Sequence, residues 1–175
     1  MDKMVLIEGS MDLAAEIMAY RKEMLDTESE MDGCGNLRRC ETAKEWVDFN
    51  ERLKHEETKP EKWVVSTQFA YVRKGDGRIM GMLQVRHYLN DYLREYAGHI
   101  GYSVRPSERR KGVATAMLKE ALPFCKSIGL ERVMIACEPN NPGSRGTILN
   151  NGGVYWRTVH MDDENIDLEQ YWVET

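Results

Sequence analysis

The chain has 175 residues, and its 42% hydrophobic and 30% charged content is the balance of an ordinary soluble globular protein with one core. Its 29 acidic against 24 basic residues give a net charge of -5, which argues against a nucleic-acid binder that works through bulk positive charge. No apolar run approaches the roughly 20 residues that span a bilayer, and the four cysteines include no CxxC pair, so we expect neither a membrane segment nor a metal site.

The first part of the chain reads as a short strand followed by two helices. Residues 5–7 form an apolar run suited to a strand, and apolar residues recur at helical spacing over 13–24 and 44–55. The segment between the two helices, 27–42, is rich in Asp, Glu, Gly and Cys and is predicted to be a loop.

Strand signals dominate the middle of the chain. Residues 63–73 and 79–87 are rich in β-branched and other large apolar residues and flank a turn with two glycines, which predicts a β-hairpin. A short helix is predicted over 88–95, and a third strand of this group over 97–104.

The last part of the chain is predicted to run helix, strand, helix and then two strands. Apolar spacing favours helices over 111–126 and 144–151, with a strand between them at 132–137 that has the pattern of burial on both faces. Strands over 154–160 and 166–173 complete the order. Without a repeat or a linker, the whole chain is expected to be one α/β domain: a mixed, mostly antiparallel central sheet of about seven strands with helices on both faces.

The turn RRKGVA, residues 109–114, lies between a strand that ends at Pro106 and the helix that follows. The first N–H groups of a helix have no internal partner and carry the positive end of its dipole, so they stabilise an anion. Gly112 allows close approach to the backbone, and Arg109, Arg110 and Lys111 add positive charge. The pattern differs from the P-loop and from GxGxxG. A pyrophosphate is the predicted guest, with an ordinary surface turn as the alternative.

These residues resemble those of a known family. Arg109-x-x-Gly112-x-Ala114 matches the Q/R-x-x-G-x-G/A motif of the GCN5-related N-acetyltransferases, the GNAT superfamily, and the order of elements agrees over nearly the whole chain. Residues 141–152 are similar to the family's fourth-helix pattern, and 86–118 resemble a group of small, poorly characterised bacterial members. The resemblance implies a GNAT-like fold and acetyl-CoA as the cofactor.

The same resemblance implies a set of cofactor-binding residues. The main chain of the strand before the turn, at Tyr102 and Val104, would bind the pantetheine arm, and Asn141 and Ser144 would touch it or its surroundings. The acetyl carbonyl would lie where this strand separates from its neighbour, so that a main-chain N–H polarises it. The pyrophosphate would be held by the backbone of the turn at Arg109, Arg110, Lys111, Gly112, Val113 and Ala114, with the hydroxyl of Thr115.

The implied reaction is direct attack of a neutral amine on the thioester, which needs a base or a water chain to take the amine's proton. His99 is the first candidate base, although strand alternation turns it away from the pantetheine-binding side chains, and a core histidine is the alternative. Glu138 is a second candidate, while Arg86 and His87 are candidates for substrate contact. Cys137, on a strand predicted to be buried, is expected to be a structural thiol.

The chain departs from the family at the proton donor. The family's usual general acid is a tyrosine seven residues after the helix-capping Asn, and that position is Ile148. The residue after Gly152, often aromatic in the family, is Gly153. Protonation of the leaving thiolate would then come from water, from another group such as Tyr155, or from nothing. A missing acid slows the reaction by up to about 10²–10⁴.

The resemblance therefore implies an N-acetyltransferase that acts on a primary amine, either a small molecule or an exposed amino group. The alternative is an acyl-CoA-binding sensor with little catalysis. A toxin that acts on charged tRNA is disfavoured by the net charge of -5. Since no signal-peptide core follows Met1, a cytoplasmic location is expected, and a homodimer through an edge strand is plausible.

Overall fold

Two short antiparallel sheets and four α-helices make up the fold. The computed structural model describes residues 3–175. The strands are β1 (Met4–Glu8), β2 (Ser66–Arg73), β3 (Ile79–Arg86), β4 (Ile100–Val104), β5 (Arg132–Cys137), β6 (Val154–Met161) and β7 (Ile166–Glu174). The helices are α1 (Ala14–Asp26), α2 (Ala43–Leu53), α3 (Val113–Ser127) and α4 (Pro142–Asn150). Within the described residues, no helix is long and apolar enough to cross a membrane.

The seven strands form two sheets, which separate from each other between β4 and β5. One sheet has the order β1-β2-β3-β4 and the other β5-β7-β6, and every neighbouring pair is antiparallel. Over residues 3–175, an isolated bridge between Gly98 and Ile135 is the sole β-pairing that joins the two sheets. The α/β class and the seven mostly antiparallel strands are confirmed, and the central sheet is divided at one junction.

Helices cover both faces of the larger sheet, as predicted. Side chains of β2 alternate between two apolar clusters, as the pleat of a strand requires. Phe69 and Tyr71 pack with residues of α3 and α4, whereas Ala70 and Val72 pack with residues of α1 and α2. The four-stranded sheet is thereby the middle layer, and the gap beside β4 lies at its edge.

Several element boundaries differ from the sequence prediction for local backbone reasons. The predicted helix over 88–95 is instead a π-helical turn at Leu93–Ala97, and β4 begins after it because Gly98 has a φ of 69° that is not extended. Helix α3 begins at Val113 rather than at residue 111 because Gly112 has a φ of 77°. Helix α4 begins earlier than predicted, since Pro142 fits the first helical position.

The loop at 27–42 is part of the interior rather than a surface excursion. Cys34 is 2% exposed and Leu37 is fully buried. Three successive carbonyls of the loop accept hydrogen bonds from interior side chains. The bonds run from Gln68 Nε2 to Gly33 (2.7 Å), from Trp46 Nε1 to Cys34 (2.7 Å) and from Asn50 Nδ2 to Gly35 (3.1 Å). Helix α2 and strand β2 therefore fix the backbone of this loop.

Candidate active site

The gap between β4 and β5 opens into a cavity of about 1190 Å³. Its walls are β4, the end of β5, the turn that begins α3, the start of α4, and the loop at 27–42. The residues that line it include ten of those predicted to bind the cofactor: Tyr102, Val104, Arg109, Arg110, Gly112, Val113, Ala114, Thr115, Asn141 and Ser144.

The turn before α3 exposes a row of backbone donors to this cavity. Arg110 has a φ of 65° and Gly112 a φ of 77°, and these two left-handed residues aim the start of the helix at the cavity. Among residues 3–175, no protein group accepts a hydrogen bond from the N–H groups of 110–115. A Cβ at Gly112 would meet no atom within 4 Å, so the backbone angle, and not crowding within the protein, requires glycine there.

The three basic side chains of the turn do not point the same way. Arg109 and Arg110 line the cavity, and Arg109 Nε donates to the carbonyl of Val104 at 3.2 Å. Lys111 turns aside, because its Nζ lies 2.9 Å from Glu108 Oε2 and 3.1 Å from the carbonyl of Ser107. The Lys111 side chain therefore adds less positive charge to the cavity than the two arginines do.

The backbone of β4 presents hydrogen-bonding groups to the gap. The ladder with β3 ends in a bond from the N–H of Arg105 to the carbonyl of Met80 at 2.9 Å. Because partners alternate along an antiparallel strand, the backbone groups of Tyr102 and Val104 point away from β3. They point into the space between β4 and β5, as predicted for a strand that holds an extended ligand.

On the opposite side of the cavity, the start of helix α4 is joined to β4 through Tyr102. The hydroxyl of Tyr102 lies 2.8 Å from Ser144 Oγ and donates to the Ser144 carbonyl at 3.3 Å. Asn141 caps the helix, since its Oδ1 accepts the N–H of Ser144 at 3.0 Å. Burial raises the pKa of Tyr102 above its usual value, so this phenol stays protonated at neutral pH.

Ile148 stands where the family places its tyrosine, and it is fully buried in the core. A Cβ on Gly153 would clash with the side chain and carbonyl of Ile148. The two departures from the family pattern therefore form one packing arrangement, in which an isoleucine fills the space and a glycine makes room for it. This side of α4 supplies no proton donor at that position.

His99 lies behind the cavity wall rather than on it. His99 is 6% exposed, and its Nδ1 accepts a hydrogen bond from the backbone N–H of Met134 at 2.9 Å. The backbone N–H of His99 donates to the carbonyl of Met134 at 2.7 Å. Burial, together with the charge of Arg86, lowers the pKa of His99 to about 4. His99 is thus a neutral histidine that ties the edge of β4 to β5, with its proton on Nε2.

Tyr155 and His87 also lie away from the cavity. Tyr155 is 53% exposed on β6, and its hydroxyl lies 2.9 Å from Thr158 Oγ1. His87 Nε2 lies 2.9 Å from Thr67 Oγ1, and burial lowers the pKa of this histidine. Strand alternation predicts the face on which a side chain lies, but its distance from the cavity depends on how the two sheets separate.

Three other predicted side chains do line the cavity: Arg86, Cys137 and Glu138. Arg86 Nη1 donates to the carbonyls of Ala97 at 3.2 Å and Gly98 at 3.1 Å, so part of its guanidinium holds the backbone before β4. Burial raises the pKa of Cys137 to about 11. This thiol is therefore protonated at neutral pH, which agrees with a structural role.

Asp32 is among the cavity residues that sequence reasoning missed. It lies on the loop at 27–42, and a Cβ on the next residue, Gly33, would clash with the backbone of Gly101 and Tyr102. The loop therefore crosses β4 at close range and brings Asp32 to the gap. Burial raises the pKa of Asp32, and Glu30 raises it further. The two glycines at 33 and 35 hinted at a tight loop, but not at where it packs.

Comparison with known proteins agrees with this geometry. No curated protein matches the sequence. Solved structures do resemble the fold. The ribosomal-protein-S5-alanine acetyltransferase from Vibrio fischeri has a TM-score of 0.75 at 18% identity, covering 99% of this chain and 94% of its own. The microcin C7 self-immunity acetyltransferase MccE, in complex with acetyl-CoA and AMP, has a TM-score of 0.68 at 17% identity, covering 100% and 94%.

A third similar structure is a spermidine N-acetyltransferase chimera from Vibrio cholerae and hSSAT, with a TM-score of 0.65 at 14% identity, covering 98% of this chain and 95% of its own. At such identities these likenesses show the fold alone. The model of the acetyltransferase (GNAT) family matches residues 33–150, which is more than half of the sequence. That span holds β4, the turn before α3, and the start of α4. The chain belongs to the GNAT family of acetyltransferases.

Proposed function

We propose that this protein transfers the acetyl group of acetyl-CoA to a primary amine by direct attack. The observation that carries the proposal is the row of N–H groups at 110–115, which lack a protein acceptor among residues 3–175 and face one end of the cavity. A pyrophosphate supplies the acceptors that these donors need, and Arg109 and Arg110 add positive charge beside it.

From that anchor, the pantetheine arm would run along β4 toward the loop at 27–42. The backbone groups of Tyr102 and Val104 that point away from β3 would pair with its amides. The thioester carbonyl would then lie in the gap between the sheets, where an N–H of β4 can stabilise the oxyanion that forms on attack. Ser144 and Asn141, which line the opposite wall, would border the same arm.

In the transfer, the nitrogen lone pair forms a C–N bond as the C–S bond breaks, and the amine gives up one proton. Coenzyme A leaves as a thiolate, which takes up a proton. We propose Tyr102 as the donor in place of Tyr155, because Tyr102 lines the cavity and its hydroxyl lies 2.8 Å from Ser144 Oγ, a second residue of the cavity wall. It returns to its protonated form from solvent. His99 and Tyr155 take structural roles in this arrangement.

The far end of the cavity favours a cationic acceptor. Four carboxylates line it, from the loop, the end of β5 and the β6–β7 turn: Glu30, Asp32, Glu138 and Glu164. A protonated amine is attracted by a cleft of this sign. The proposal covers a small amine, as in the spermidine enzyme, and an exposed amino group, as in the ribosomal-protein enzyme.

A sensor that binds acyl-CoA with little catalysis is the second candidate. The buried Ile148, at the position of the family's tyrosine, is the observation in its favour. Two measurements separate the candidates: calorimetric titration with acetyl-CoA, and release of free thiol with spermidine, an alanyl peptide and a seryl peptide. We expect binding, and thiol release that depends on the amine. Binding with no amine-dependent thiol release would favour the sensor, and no binding would exclude both.

A further inference from the structure

Asp32 is held in place by the interior of the protein. The residues that follow it, Gly33 and Cys34, have carbonyls bonded to buried side chains, and Cys34 Sγ also lies 3.0 Å from Ser103 Oγ of β4. At Gly33, a Cβ would overlap the backbone of Gly101. The segment is thereby fixed against the stretch of β4 that faces the gap.

The Asp32 carboxylate itself is left without a partner. Within residues 3–175, no hydrogen bond or ion pair ends on its side-chain oxygens. By contrast, the buried Glu108 is paired with Lys111 at 2.9 Å and Arg78 at 3.5 Å. Asp32 is exposed and lines the cavity, and the protein atoms around it raise the pKa of its carboxyl group. An unpaired carboxylate on the cavity wall is free to interact with a guest of the cavity.

Several charged or titratable groups face Asp32 from the elements around it. Arg86, at the end of β3, favours its ionised form, whereas the negative groups disfavour it. The negative groups are Glu30 on its own loop, Glu138 after β5, and Glu164 between β6 and β7. Cys34, Tyr92 and Tyr102 also face Asp32, but their raised pKa values keep them neutral at pH 7. These groups leave Asp32 a stronger base than an ordinary aspartate, because its pKa is raised.

The two bases predicted from sequence are placed less well. His99 is buried behind the wall, with Nδ1 bonded to the backbone of Met134. Glu138 lines the cavity from the end of β5. Asp32 is the carboxylate whose own segment lies against Gly101 and Tyr102. Its segment therefore lies against the backbone that would hold the thioester.

We propose that Asp32 is the general base, and so a catalytic residue, that takes the proton of the attacking amine. The bound ammonium first gives one proton to the Asp32 carboxylate, which frees the nitrogen lone pair. As the C–N bond then forms and the C–S bond breaks, the nitrogen releases a second proton to solvent, and the thiolate takes up a proton from Tyr102. The resulting carboxylic acid gives its proton to solvent before the next turnover. This inference rests on the proposed acetyl transfer and names the group that makes the amine reactive at neutral pH.

The pH dependence of Asp32→Asn tests the role directly. With the base present, proton removal is internal, so kcat/KM stays level between the pKa of Asp32 and that of the amine, which is about 10 for an alkylamine such as spermidine and about 8 for the α-amino group of a peptide. Without it, only amine already neutral in solution reacts, so the logarithm of kcat/KM rises with unit slope up to the amine's pKa. On that slope the variant should match the wild type near the amine's pKa, and at pH 7 it should be about 10³-fold slower with spermidine and about 10-fold slower with a peptide.

The measurement uses the fastest acceptor among spermidine, the alanyl peptide and the seryl peptide. Asp32→Glu, which keeps a carboxylate, is expected to restore a level region. Glu28→Gln is the matched control, because it removes a charge from the same loop at an exposed position and should leave the profile unchanged. Calorimetry should give the same affinity for acetyl-CoA in all four proteins.

Thermal unfolding separates catalysis from damage to the fold. Since the pKa of Asp32 is raised, its ionisation disfavours the folded state at neutral pH, and Asp32→Asn should melt no lower than the wild type. A normally folded Asp32→Asn protein with the wild-type pH profile would overturn the assignment, as would a change in KM alone. A wild type that binds acetyl-CoA but acetylates no amine would overturn the proposed function itself.

Discussion

The two ends of the cavity are built in opposite ways. At the α3 end, consecutive backbone N–H groups of 110–115 form the binding surface, and two residues with left-handed backbone angles orient them. At the other end, the surface consists of side chains from separate segments, among them Asp32, Glu138 and Glu164. A backbone surface tolerates changes of side chain, whereas a side-chain surface changes with each substitution. The first suits a constant cofactor and the second a variable acceptor.

Gly112→Asp is expected to have the largest effect on the α3 end. It adds a carboxylate where the pyrophosphate would lie, at a φ of 77°, and should weaken acetyl-CoA binding by about 10²-fold or more, as two charged-group hydrogen bonds would. Calorimetry measures the loss. Gly129→Asp is the matched control, because Gly129 has a φ of 88° and equally open space at the other end of the same helix. Equal losses in both variants would refute the phosphate assignment.

Tyr102→Phe tests the junction between the two ends. It removes the hydroxyl that bridges to Ser144 and, if that hydroxyl protonates the thiolate, should lower kcat by up to about 10²-fold. The affinity for acetyl-CoA should change little, because the proposed contacts of Tyr102 with pantetheine are made by its backbone. Tyr155→Phe is the control and should keep the wild-type rate. A larger loss in the control would restore Tyr155 as the donor.

The stability of the β4–β5 junction should depend on pH through His99. Its pKa is about 4 in the folded protein and 6.5 when unfolded, so the unfolded chain binds the proton first. Stability is fully present above pH 6.5 and is lost as the pH falls toward 4, by about 2 kcal/mol at pH 5. Urea unfolding at pH 7 and pH 5 measures this loss. In His99→Asn, which cannot titrate, the difference between the two pH values should be smaller.

The smallest effects are expected from the basic side chains of the turn. Arg109→Ala should weaken acetyl-CoA binding about two- to fivefold, the size of an exposed charge near a helix N-terminus. Lys111→Ala should change it by less, because its Nζ is already bonded to Glu108 and Ser107. High salt should reduce the effect of Arg109→Ala, because it screens exposed charges, and titrations at low and high salt measure the difference. A Lys111 effect as large as that of Arg109 would contradict the arrangement of the turn.

The structure of the α3 end of the cavity could be predicted from sequence because its parts are contiguous. The turn from Arg109 to Ala114 shows its charge, its glycine and its helix start in one short stretch. The strands of the middle segment were equally local, since their alternation marks which faces are buried. The ends of elements were less certain: Gly98 before β4 and Gly112 before α3 adopt positive φ angles that composition does not reveal.

The opposite end of the cavity, where the proposed base lies, could not be predicted in the same way. Whether His99 faces a cavity or a wall depends on the separation of β4 from β5, which is a property of both sheets together. Asp32 lies in a loop whose position is set by Trp46, Gln68 and Asn50, none of them close in sequence. The hydroxyl of Tyr102 lies 2.8 Å from Ser144 Oγ of α4. That contact depends on how α4 packs against β4, which no pattern within β4 encodes.

The anchoring of the 27–42 loop has a consequence for how acceptor preference can diverge. Three of its carbonyls are held by side chains that also belong to the hydrophobic interior, and Gly33 fits against Gly101 with no room for a methyl group. Inserting or deleting a residue between 32 and 36 would break bonds on which folding depends. Selection for a new acceptor is therefore expected to proceed by exchange of outward-facing side chains, such as those of Glu30 and Glu164, while the loop keeps its length.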